Sequence, residues 1–151
     1  MKWVVLFMIS CCLTSCSYLT EIFLFNDTDD VVQITYAIKR IDSSSLPPVI
    51  KEFKRFTRIK NTAEEQAIQY AADSLTFYAT LLPKQALQIG AETNFSFKSE
   101  YDQQKLIENI DYLEIATSQH KTKHTAATIL PNFETYTYQI VGIAISKTMT
   151  H

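Results

Sequence analysis

Val32-Gln33-Ile34-Thr35-Tyr36-Ala37-Ile38 sends Val32, Ile34, Tyr36 and Ile38 to one side and Gln33, Thr35 and Ala37 to the other. That period of two is the mark of a strand with one face in a core and the other toward water. Upstream, Glu21 to Phe25 is apolar on both faces, and the polar stretch Asn26-Asp27-Thr28-Asp29-Asp30 joins the two segments as a turn. Alternation returns downstream, where Leu75, Phe77, Ala79 and Leu81 oppose Thr76, Tyr78 and Thr80 before Leu82-Pro83. Ala86 to Ile89 ending at Gly90, and Thr93 to Lys98, read as a hairpin. Tyr112 to Thr117, Thr125 to Leu130 and Thr135 to Ser146 read as closing strands, with Gly142 marking a bulge. Seven or eight short strands separated by turn signals predict a mainly β chain, an antiparallel β-sandwich.

Two segments interrupt the pattern. After the loop Ser43 to Pro48, Ile50, Phe53, Phe56 and Ile59 recur every third residue with Lys51, Lys54, Arg55 and Arg58 between them. This favours a short basic amphipathic helix, with a strand as the alternative. Thr62-Ala63-Glu64-Glu65 reads as a capping box opening a second helix through Ala72, although Ile68 to Tyr70 also fits a strand. One or two short helices are therefore expected after the first hairpin, and Asp102 is expected to cap a further helical turn through Leu106 and Ile107.

Leu130-Pro131-Asn132-Phe133-Glu134-Thr135-Tyr136 resembles the leucine, proline and tyrosine spacing before a late strand of fibronectin type III domains. The resemblance implies an immunoglobulin-like sandwich with a tyrosine corner at Tyr136, or secondly at Tyr138, whose hydroxyl would bond back to the turn backbone.

At the start of the chain, Lys2 precedes the apolar run Trp3 to Ile9, and Leu13-Thr14-Ser15-Cys16 follows. These residues resemble the signal peptide and lipobox of bacterial lipoproteins. The resemblance implies recognition of Leu13, Thr14 and Ser15, cleavage before Cys16, and acyl chains on the Cys16 sulfur and amino group. The apolar run is shorter than the ~20 residues a bilayer span needs. Ser17 stands where an aspartate commonly retains such proteins at the inner membrane, so the resemblance implies lipid anchoring at the outer membrane, facing either the periplasm or the surface. The expected organisation is a signal over 1–15, a lipidated tether over 16–20 and one domain over 21–151.

Removing 15 of the 151 residues leaves 136, enough for one core, and takes away one of 14 basic residues, so 13 face 16 acidic ones and the net charge is about −3. That balance does not point to nucleic acid. All three cysteines lie at or before Cys16, so the expected domain has no thiol for a disulfide, a thiolate metal site or a nucleophile. With two glycines in the chain, Gly90 and Gly142, a glycine-rich phosphate loop cannot be built, and no cofactor is expected. Asp27-Thr28-Asp29 opens like a calcium loop but places Val32 and Ile38 at the sixth and twelfth positions, so it reads as a solvated turn. His120 and His124 lie in a polar, lysine-containing stretch without a companion glutamate, which reads as a hairpin loop and not a metal site. Ser118 and Lys121 match a Ser-x-x-Lys pair but lack its Lys-Thr-Gly companion. The basic stripe Lys51, Lys54, Arg55, Arg58 and Lys60 reads as a solvated face.

The expected function is a non-catalytic, lipid-anchored module that binds or scaffolds another envelope protein or glycan, held to the membrane through Cys16. The alternatives are an assembly factor or inhibitor of an envelope machine, and a periplasmic hydrolase using His120 or His124.

Overall fold

A computed structural model describes residues 17–41, 47–61, 68–73 and 75–146. The expected signal residues, Cys16 and the Thr62 capping box lie outside them. Two β-sheets pack face to face. The six-stranded sheet has the order β10-β11-β1-β7-β3-β4, built from β1 (Leu19–Asn26), β3 (Val49–Arg55), β4 (Arg58–Asn61), β7 (Gln85–Thr93), β10 (Glu134–Thr137) and β11 (Ile140–Ile145). The five-stranded sheet has the order β5-β6-β2-β8-β9, built from β2 (Val32–Ile38), β5 (Gln69–Tyr70), β6 (Thr76–Leu81), β8 (Ile110–Ala116) and β9 (Lys121–Thr125). All pairings are antiparallel except β1 with β11, which is parallel. The chain is a β-sandwich, as the alternation predicts.

The first hairpin-like unit is split between the sheets. Asn26-Asp27-Thr28-Asp29-Asp30 does not fold β2 back onto β1 but carries the chain across to the other sheet. Asn26 holds this turn: its Nδ2 donates to the carbonyls of Asp30 (2.9 Å) and Leu81 (3.0 Å), and its Oδ1 accepts from the amide (3.0 Å) and hydroxyl (2.7 Å) of Thr28. The turn is thus closed by its own buried amide side chain.

Val32, Ile34, Tyr36 and Ile38 face Ile22, Leu24, Leu87, Val141, Ile143 and Ile145 across the space between the sheets. Burial of Tyr36 pushes its phenol pKa up. β1 is apolar on both faces because it serves two cores. Phe23 and Phe25 point the other way, into a second cluster with Phe53 and Ala86, closed by Phe56, Ile59, Tyr136 and Ile140.

Residues 49–61 form a β-hairpin, not the favoured helix. Their three-residue apolar period arises because Ile50 joins the inter-sheet core, Phe53 joins the second cluster, and the chain reverses at Phe56-Thr57 before Ile59 returns. Among the described residues the helices lie elsewhere: α1 (Glu100–Glu108) and α2 (Ala126–Ile129), the latter running into a 3-10 turn at Leu130–Asn132. Ser99 caps α1, its hydroxyl accepting from the Asp102 amide (3.3 Å), while the Asp102 carboxylate accepts from the Ser96 amide (3.0 Å). The cap is therefore three residues before the position expected; the Ser99 amide donates to the Ser96 carbonyl (2.9 Å), so Asp102 ties down the chain before the helix at Ser96 and does not complete a capping box. Thr93 to Lys98 is no second hairpin strand, since β7 continues through Gly90 to Thr93 and the chain then turns at Asn94, whose φ is 55°. Of the expected strand Thr125 to Leu130, Thr125 ends β9 and the rest is helical, and Thr135 to Ser146 contains two strands.

Candidate functional site

β1 and β3 run in the same direction, each antiparallel to β7 between them, with Leu24 opposite Leu87 and Leu87 opposite Ile50. Through the same register Glu52 lies level with Gln85 at the end of β1, so the hairpin tip from Phe53 to Ile59 projects past that strand, and Lys60 and Asn61 return level with Glu52 and Lys51. The Asn26–Asp30 turn, the Leu82–Gln85 turn and the Thr117–His120 turn occupy this same end. α1, the Tyr138-Gln139 turn and Tyr18 occupy the opposite end.

At the hairpin end, Glu52, Phe53, Lys54 and Lys60 of the hairpin and Leu82, Pro83, Lys84 and Gln85 of the facing turn line a pocket of about 260 Å³. The turn closes through the Gln85 amide donating to the Leu82 carbonyl (3.0 Å). Proline at its second position and a positive φ of 64° at Lys84 in its third fit a type II turn. That third position ordinarily takes glycine or asparagine, because a side chain there is strained. Lys84 is fixed by its own backbone: its amide donates to the Asn26 carbonyl (3.1 Å) and its carbonyl accepts from the Phe53 amide (2.9 Å). Its ammonium pairs with Asp27 and lies 5.6 Å from the centre of the Phe53 ring.

Lys54, Arg55, Arg58 and Lys60 have no ion-pair partner among the described residues. Glu52 sits opposite Lys60 in the hairpin without closing an ion pair. Lys54 and Lys60 line the pocket with Glu52, while the Lys84 ammonium is already paired with Asp27, so three ammonium groups stand against two carboxylates around the pocket. The remaining acids of this end, Asp29 and Asp30, lie on the β1–β2 turn. Lys51, the first residue of the expected basic stripe, belongs to a different place: it pairs with Glu21 at 3.0 Å, and Glu21 also accepts from Gln88 (3.1 Å).

No family model matches the chain. No curated protein and no solved structure matches it either. The site must therefore be read from its own chemistry.

The other sequence candidates are dispersed. Asp27 holds Lys84, and Asp29 and Asp30 remain on an exposed turn. His124 lies in β9 opposite Leu113, with its Nε2 buried and without a hydrogen-bond partner, whereas His120 belongs to the turn before β9. Ser118 is in that turn and Lys121 begins β9, where it pairs with Glu114 (2.9 Å). Among the described residues no cluster of three or more metal-ligating side chains occurs, and no helix is long and apolar enough to cross a membrane.

Tyr136 does not form a tyrosine corner. Its ring packs on Phe56 (4.6 Å between ring centres) and Phe25 (5.4 Å), and its buried hydroxyl makes no hydrogen bond. Burial, and then the Glu134 carboxylate beside it, push its pKa up to about 12. Tyr138 is exposed and rests edge-on against Tyr18. Gly142 marks no bulge. It pairs in register with Phe23, and a Cβ there would sit 2.4 Å from the Phe23 carbonyl oxygen and 2.8 Å from the Phe25 ring. The irregular step in this hairpin lies between Thr135 and Thr137.

Proposed function

We propose that this chain is a lipid-anchored envelope protein of the outer membrane whose sandwich is a non-catalytic binding module for another envelope protein or glycan. The observation that carries the reading is the way Tyr18 is fixed. Its amide donates to Asn94 Oδ1 (3.2 Å), its carbonyl accepts from the Asn94 amide (2.8 Å) and its hydroxyl donates to the Phe95 carbonyl (3.2 Å). Cys16 is two residues earlier, so acyl chains on its sulfur and amino group would hold the Tyr18 end against the bilayer with almost no slack. The hairpin end, with its basic pocket, is then the part of the molecule farthest from the membrane. β1 alone places about 25 Å between the two ends at a rise of ~3.3 Å per residue. A module that reaches outward in this way is built to meet a partner and not the headgroups beneath it.

The reading is tested in two steps. Intact mass of the membrane-extracted protein should show acyl chains on Cys16 and none in Cys16→Ala, which should lose its partition into detergent; a mature protein with an unmodified Cys16 would reject the anchor. In the lipidated protein, a fluorophore placed at Tyr138→Cys should be quenched by quencher-bearing lipids, and one at Thr57→Cys should not. Equal quenching at both positions would reject the orientation while leaving the anchor intact.

A further inference from the structure

We propose that the outer face of the five-stranded sheet holds a site for a neutral glycan chain of gluco-configured pyranose rings. The inference rests on the reading of the sandwich as a non-catalytic binding module and names its ligand. Strand register places the site. Gln33 lies opposite Thr80, and Thr35 lies opposite Tyr78, which in turn lies opposite Gln69. Directly opposed residues share a face, and these five are on the face turned away from Ile34, Phe77 and Ala79 of the inter-sheet core. All five line a pocket of about 230 Å³ together with Ile34, Ala79 and Ile50, which are buried and form its apolar floor. The pocket lies where β6 runs past the two-residue β5, which pairs only with Phe77 and Tyr78. β2 begins at the hairpin end, so Gln33 and Thr35 are well clear of the Tyr18 end.

The open face of an antiparallel sheet is ordinarily polar, and two features set this part of it apart. The first is charge. None of the five residues carries any, and the charged groups of the same face sit on β8 and β9, already engaged: Glu114, opposite Thr35, pairs with Lys121 (2.9 Å), and Lys123 stands 3.7 Å from the centre of the Tyr112 ring. The second is that the side chains of Gln33, Thr35, Gln69, Tyr78 and Thr80 make no hydrogen bond among the described residues. Two amides and two hydroxyls that both donate and accept thus surround an apolar floor and the Tyr78 ring, which is 44% exposed. Such a site complements a ligand with an apolar face and a hydroxylated rim. A pyranose whose hydroxyls are all equatorial has only C–H bonds on its two faces, and the negative face of an aromatic ring attracts them. Its vicinal hydroxyls then meet the glutamine and threonine side chains at the rim. At about 230 Å³ the pocket is smaller than the ~300–1,000 Å³ of drug-sized sites, and it suits a single ring of the chain.

Cellotetraose and chitotetraose, titrated separately into the full-length protein in a detergent without a sugar headgroup and followed by backbone and glutamine side-chain amide shifts, test this. At least one should give saturable shifts centred on Gln33, Thr35, Gln69, Tyr78 and Thr80. Its affinity should be the same at low and high salt, because no charge pair forms. Tyr78→Ala should weaken binding about tenfold or more and Gln33→Ala about three- to tenfold, whereas Tyr78→Phe, which keeps the ring, should stay within about twofold. Cooperative urea unfolding of each variant checks that the fold is retained. No binding of either sugar, saturable shifts elsewhere, or unchanged affinity in both Tyr78→Ala and Gln33→Ala would overturn the proposal. An absence of binding in protein acylated on Cys16 would overturn this site alone and leave the anchored module with a protein partner. Binding by protein whose Cys16 is unmodified would support the site and reject only the anchor.

Discussion

Gly142 shows how much one missing methyl group decides. The Phe25 ring lies over it, and a Cβ would enter both that ring and the Phe23 carbonyl. Since the obstruction includes backbone, Gly142→Ala should destabilise by about 1–3 kcal/mol or more, the usual range for overpacking, as read from urea unfolding. In the sequence this glycine reads as a bulge because an isolated glycine in a strand signals either a bulge or a close approach, and only the partner strand distinguishes the two. Tyr136 carries a related lesson. The leucine-proline-tyrosine spacing is real, but the hydroxyl ends among aromatic rings without a hydrogen-bond partner. Tyr136→Phe should therefore leave stability unchanged within about 0.5 kcal/mol or raise it, where a true corner would lose ~1–3 kcal/mol. Its ionisation has a sign that can be checked. The folded pKa, about 12, is above the ordinary value of 10.0, so the neutral phenol favours the fold fully below pH 10 and that contribution is lost as pH rises toward 12. In Tyr136→Phe, alkaline unfolding should begin at a higher pH, and phenolate absorbance should lose a late-titrating component.

At the scale of elements, the second aromatic cluster explains why the β3–β4 segment read ambiguously. Phe56 belongs to the turn of the β3–β4 hairpin and Tyr136 to β10, which lies at the other edge of the six-stranded sheet. Four inter-strand gaps separate β10 from β3, ~19 Å if the sheet were flat, yet the two ring centres are 4.6 Å apart. The sheet must curl until its edges share one stack, with Phe25 in edge contact with Phe53, Phe56 and Tyr136. A double-mutant cycle of Phe56→Leu and Tyr136→Leu should accordingly give a coupling of about 0.5–1.5 kcal/mol, the range for aromatic pairs; additive effects would mean that the edges are not joined. The alternation of β2, β6 and β8 was legible because each has one face toward the inter-sheet core and the other toward solvent. The hairpin was not, because the curled sheet is apolar on both faces and a turn at Phe56-Thr57 converts a strand period into an apparent helical one. The pocket was illegible for a different reason. Lys54 and Lys60 meet the Lys84 turn only through the pairing of β3 with β7, which the local pattern does not encode.

For the whole molecule, β1 is the decisive strand. It sits between β7 and β11, pairing Glu21 with Ala91 on one side and Ile140 on the other. The first strand of the described chain thus depends on the last, and both cores depend on β1. Truncation after Thr137 would remove β11 and with it Val141, Ile143 and Ile145 from the inter-sheet core. The shortened protein should fail to unfold cooperatively in urea and should be digested rapidly under conditions in which the intact chain resists protease. Parallel pairing between the two ends of a chain closes its largest loop last, so folding should take milliseconds to seconds, as in other sheets dominated by distant contacts. Timing then becomes a property of the fold. A chain made from its amino end delivers β1 first and β11 last of the described strands, and until β11 emerges β1 lacks one of its two partners and the inter-sheet core lacks Val141, Ile143 and Ile145.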